Sequence, residues 1–153
     1  MGKKLLNTML AWLSSVSSNT ANRIELEAAT SGRGLVGAYA WAKHDFEYRD
    51  IGVAQKLQVQ FAEYLSELFP DLSPSVVASW LREQSLSHPG ELASLDCGSL
   101  FELAKQETVS ILADYSLRSS LLRRRSQKYQ NLLGKAFLLD PALKVSWPGV
   151  LLV

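Results

Sequence analysis

The chain is poor in the residues that usually announce chemistry. It holds a single cysteine, Cys97, so no disulfide can close within it and no cysteine knuckle can grip zinc. Its two histidines, His44 and His88, are far apart, and neither HExxH nor Gly-x-Ser-x-Gly occurs. Zinc-protease and serine-hydrolase signatures are thereby excluded. Gly32 and Gly34 resemble the start of a phosphate loop, but no Gly-Lys-Ser/Thr end follows and no strand pattern precedes them. No window approaches 18 consecutive apolar residues, so no transmembrane segment is expected. Acid is missing throughout the interval between Asp114 and Asp140. These absences leave no metal, no cofactor and no strong catalytic signature to expect, and the lone thiol suits a reducing, cytoplasmic interior. The opening Lys3-Lys4 followed by Leu5 and Leu6 imitates a signal peptide faintly, but Asn7 and Thr8 interrupt its apolar run.

What is present suits a packed domain. The 153 residues are 47% apolar and 20% charged, with four Trp, five Tyr and five Phe. That composition predicts one domain, 1–153, with a real core. Most of its periodicity is helical. Leu6, Met9, Leu10, Leu13 and Val16 share a face over 3–16, and Trp12 widens it. Asn22 followed by Glu25 resembles a helix cap, which predicts a second helix from Arg23 with Ile24 and Ala28 inward. Gly34, Gly37, Ala38 and Ala42 form a small-residue face suited to a close crossing. Asp50 caps a helix over 51–69 whose inward stripe is Ala54, Leu57, Phe61, Leu65 and Leu68. Pro70 closes it, and Ser73-Pro74 opens another that buries Val77, Trp80 and Leu81. From Ser99, in a capping box with Glu102, apolar residues recur at helical spacing to Phe137. Unbroken, that stretch is a rod of roughly 57 Å. The expected fold is therefore all-α, an irregular bundle of five or six helices around a long C-terminal helix. Residues 138–153 are left as an apolar tail. Val150–Val153 has strand character, but no convincing partner strand stands out.

Charge is strongly segregated along the chain. Residues 1–44 hold five basic and two acidic side chains, 45–114 four and twelve, and 115–153 seven and one. Arg118, Arg123, Arg124, Arg125, Lys128 and Lys135 cluster in the last third. On one rigid helix such cations bridge successive phosphates without reading bases. The expectation is a non-enzymatic subunit of a larger assembly that contacts an RNA or DNA backbone through this segment. The alternative is a protein-protein adaptor or structural subunit, in which the same cations meet acidic protein surfaces or another copy in a homo-oligomer. Trp12, Trp147, Leu151, Leu152 and Val153 are the expected protein-docking residues, being apolar enough to need cover. A lesser alternative is a small enzyme that uses His44 and Asp45 within the polar run Lys43–Asp50.

Overall fold

A computed structural model describes residues 7, 8, 11, 12, 23–31, 35–107 and 131–152. The first element among them after the helical residues 7, 8, 11 and 12 is a strand. Arg23–Ser31 (β1) reads Arg-Ile-Glu-Leu-Glu-Ala-Ala-Thr-Ser, with Ile24, Leu26, Ala28 and Thr30 inward and Arg23, Glu25, Glu27 and Ala29 exposed. This is the two-residue period of a half-buried strand. It overturns the helix expected from Arg23. Ile24 and Ala28 are four apart and fit either period, but Leu26 between them fits only the strand.

The partner of β1 comes from the end of the chain. Ser146–Leu152 (β4) runs antiparallel to it, from Arg23 opposite Leu152 to Ala29 opposite Ser146. The two-residue strand Glu47–Tyr48 (β3) pairs on the other side of β4. Leu35–Val36 (β2) pairs with the last two residues of β1, so the strand order is β2-β1-β4-β3. The all-α bundle is thus corrected to a mixed fold, a three-stranded antiparallel sheet with a short hairpin extension and helices around it. The supposed tail 138–153 supplies the central strand.

Pro148 sits in that central strand, where a missing N–H normally breaks the ladder. Thr30 N donates to the Val145 carbonyl at 2.9 Å, and Arg49 N donates to the Pro148 carbonyl at 3.1 Å. Residues on β4 alternate in the side to which their N–H and C=O point. Pro148 therefore faces β3, and Glu27 opposite it on β1 forms a pair that needs no bond from it. The imide nitrogen falls opposite Arg49, one residue past the end of β3, where the ladder ends.

Helices fill the remainder: Gly37–Ala42 (α1), Ile51–Leu68 (α2), Pro74–Arg82 (α3), Pro89–Ala93 (α4), Gly98–Glu107 (α5) and Leu133–Leu139 (α6). Two of them match the sequence closely. Asp50 accepts from Val53 N at 3.0 Å and caps α2, whose buried stripe is Ala54, Leu57, Phe61, Tyr64, Leu65 and Leu68. Ser73 caps α3, which buries Val77, Trp80 and Leu81. The 99–137 rod does not form. Cys97 N donates to the Asn131 carbonyl at 2.8 Å, whereas a continuous helix would hold residue 131 about 48 Å from residue 99. Ser99 is not the cap either. Its Oγ accepts from Trp80 Nε1 at 2.9 Å, and Asp96 takes the Gly98 amide at 2.8 Å.

The core joins these elements. α1, α4 and α6 touch one another, α1 lies on β1, and α2 bridges α6, β3 and β4. Phe137 of α6 packs its ring against Phe61 and Tyr64 of α2 at 5.3 and 5.5 Å. Gly134 allows α6 to meet α4, because a Cβ there would overlap the Leu92 carbonyl. Thr30, buried at the end of β1, donates its hydroxyl to the Leu138 carbonyl at 2.6 Å and ties the sheet to α6.

Candidate functional site

The residues expected to act by sequence fall into three groups. Arg118, Arg123, Arg124, Arg125, Lys128 and Val153 lie outside the described residues. Lys135 is described. It sits half-buried on α6, with its ammonium 5.2 Å from the centre of the Tyr39 ring, a geometry in which the ring face attracts the cation. That contact holds its side chain against α1.

The docking residues separate by depth. Trp12 is helical and 61% exposed, and Leu152 is 71% exposed at the end of β4. Leu151 is half-buried opposite Ile24. Trp147 has no exposed surface at all. Its ring meets Tyr48 edge-on at 5.6 Å, and its Nε1 donates to the Ala38 carbonyl at 3.2 Å. The inward side chain of the central strand is committed to the domain's own core.

His44 and Asp45 occupy the turn between α1 and β3. Asp45 has φ of 59°, a left-handed conformation that Asp tolerates better than most residues. His44 N donates to the Trp41 carbonyl at 3.1 Å and closes the helix end. The turn directs the chain into β3. His88 instead caps α4: its Nδ1 accepts from Gly90 N at 2.9 Å, and Glu91 accepts from His88 N at 2.9 Å. Ser85 and Ser87 also donate to Glu91. The His88 amide bond, followed by the serine hydroxyls, holds the Glu91 carboxyl below its ordinary range. Cys97 is buried and its thiol is pushed up to about 12, mainly by desolvation and further by the Asp96 charge. Among the described residues no group of three or more His, Cys, Asp and Glu is placed to hold a metal ion. No helix among them is long and apolar enough to cross a membrane.

Surface depressions among the described residues include two that border α2 and a neighbouring element. A cleft of about 280 Å³ lies between the outer sheet face and the first turns of α2, with Glu27, Lys56, Gln60 and Pro148 on its walls. Arg49 and Asp50 at its rim pair with each other at 3.2 Å. The second is apolar. α2 and α3 leave a groove of about 290 Å³ floored by Val59, Ala62, Ala78 and Leu81 and edged by Gln55, Gln58 and Arg82. Val59 is 59% exposed there. Sequence reasoning passes over this groove because Val59 stands among Gln55, Gln58 and Gln60 on the polar side of α2. The signal available is one β-branched apolar residue out of phase with the buried stripe.

No protein-family model matches the chain, and no curated protein or solved structure matches it either.

Proposed function

We propose that this protein is a non-enzymatic, cytoplasmic subunit of a larger assembly and that it works through protein contacts. The observation that carries the reading is the apolar groove between α2 and α3. Two adjacent helices with a small-residue floor fit the apolar stripe of a third, the common helix-in-groove mode. Val59, Ala62 and Ala78 supply the floor, and Arg82 at the edge favours a partner helix carrying an acid beside its stripe. A photo-crosslinking residue at position 59 or 78 tests this. The partner's crosslinked positions should repeat at helical three- and four-residue spacing, and Val59→Asp should abolish the adduct formed from position 78. Adducts that survive Val59→Asp, or that scatter without helical spacing, reject the groove.

A second reading rests on the charge order of the chain. Residues 115–153 carry seven basic side chains against one acidic, and Arg118, Arg123, Arg124, Arg125 and Lys128 fit the requirements of contact with an RNA or DNA backbone. Binding by counterion release weakens steeply with salt. Affinity for generic duplex and single strands should therefore fall across a salt series, and fall again in an Arg124→Glu, Lys128→Glu variant. A flat salt response, or indifference to the double reversal, removes this reading.

A further inference from the structure

Among the described residues, the outer side of β1 is an open sheet edge over Arg23, Glu25 and Glu27. Thr30 N bonds to the Val145 carbonyl on the β4 side, so the alternation of an antiparallel ladder turns the N–H and C=O groups of Arg23, Glu25 and Glu27 the other way. β2 covers that edge only at Thr30 and Ser31. Among the described residues nothing pairs with the backbone of Arg23, Glu25 and Glu27 on this side. Ile24 and Leu26, between them, are only partly buried although they pack on the core. Backbone donors and acceptors in a row next to half-covered apolar side chains form a template for one more strand.

We propose that the occupant is β1 of a second copy, which would make the protein a two-fold symmetric dimer with a sheet continuous across the interface. The charge order selects this partner. Protected edges carry charges that repel copies, but β1 carries Arg23, Glu25 and Glu27 on one face. When two such strands run antiparallel about Glu25, Arg23 faces the partner's Glu27 and Glu27 faces the partner's Arg23. Both are hydrogen-bonded pairs, since these are the residues whose backbone groups point outward. Glu25 then meets its own counterpart, with the partner's Arg23 on the diagonal, within reach of a long side chain. Arg23 already pairs with Glu25 of its own strand at 2.9 Å, so the cation stands on the correct face. On the inner side Ile24 meets the partner's Leu26, and the half-exposed pair becomes covered from both copies.

This surface is separate from the α2–α3 groove and does not require it. A strand pair this short buries less than a standard interface, so the dimer is weak and concentration-dependent. Sedimentation equilibrium over roughly 1 µM to 1 mM covers that range. The wild-type chain should self-associate. Arg23→Glu and Glu27→Arg should each weaken the dimer about tenfold by setting like charges face to face. The combined swap should recover most of that loss, because each facing pair then holds one acid and one base again, with the signs exchanged. General destabilisation would give no such recovery. Glu25→Pro removes an outward N–H that β4 does not use. It should abolish dimerisation while circular dichroism and the thermal midpoint show a folded monomer. A wild-type monomer throughout the range overturns the proposal, as does a dimer indifferent to the single reversals. If Val59→Asp alone breaks the dimer, the helical groove is the self-association surface and the edge inference falls, although the assembly reading stands.

Discussion

The inner face of the sheet and the outer groove of α2–α3 are both built from apolar side chains, yet they end in opposite states. Trp147 is sealed under the sheet by Tyr48, Ala38 and Ala28, with its one polar atom bonded to the Ala38 carbonyl. Val59 stands in water with Ala62, Ala78 and Leu81 at its base. Both positions are apolar in sequence. The difference lies in what the fold brings over them: a whole strand and its neighbours in one case, and nothing from the described residues in the other. Apolar character predicts a need for cover, and topology decides whether the chain itself supplies it.

Mutations sharpen the comparison, and the largest effect belongs to the sealed side. Trp147→Ala should cost about 3–5 kcal/mol by transfer and cavity terms together, read as a large drop in the denaturant midpoint. A loss below about 1 kcal/mol would mean that the ring is not the keystone of the sheet. Gly149→Ala comes next, at about 1–3 kcal/mol from overpacking, because its Cβ would approach the Trp147 ring to 2.5 Å. Combining it with Trp147→Phe should give less than the summed losses, since the smaller ring vacates that space.

A third effect is set by pH. The folded Cys97 thiol titrates near 12, against about 8.5 for a free cysteine. Raised in the folded state, it contributes stability that is complete below about pH 8.5 and is lost as pH climbs through the folded value. Unfolding midpoints should fall by about 1 kcal/mol equivalent between pH 8 and 9.5, and Cys97→Ala should flatten that decline. A thiol reagent should label the native protein only at the unfolding rate. Rapid labelling would place Cys97 at the surface. Smallest is Val59→Asp on the open side, expected within about 0.5 kcal/mol of wild type by thermal melting. A large destabilisation would show the groove to be core after all.

How far the sequence reaches can be judged from particular elements. α2 is legible to within a residue, and α3 in its start and its buried face, because what makes them is local: a cap, a proline boundary and a 3.6-residue apolar stripe. β1 reads as helix because Glu, Leu and Ala favour that state on intrinsic grounds; only the Ile24–Leu26–Ala28 alternation argues otherwise. The long C-terminal rod misleads for a related reason. Helical spacing from Phe101 to Phe137 is compatible with two separate helices whose faces both point inward, and the Cys97–Asn131 bond selects that arrangement. Of the site residues, Trp12 and Leu152 are exposed as a docking role requires, while Trp147 is not. Hydrophobicity cannot distinguish them, since burial depends on strand order. The open edge of β1 is invisible in the sequence because it exists only once β1 is a strand.

Composition and local pattern by themselves determined that this chain folds around a sizeable core, where α2 begins and ends, where α3 begins, and which of their faces turn inward. Tertiary structure alone decided the sheet. The strand 146–152 pairs with residues 23–29 across most of the chain's length, and no nearest-neighbour preference records such a distant choice. Capping and amphipathicity act within a few residues, whereas strand pairing is settled by whichever distant segment matches in register and covers the same face. That is why the helices could be read from the chain and the sheet, with the edge it leaves open, could not.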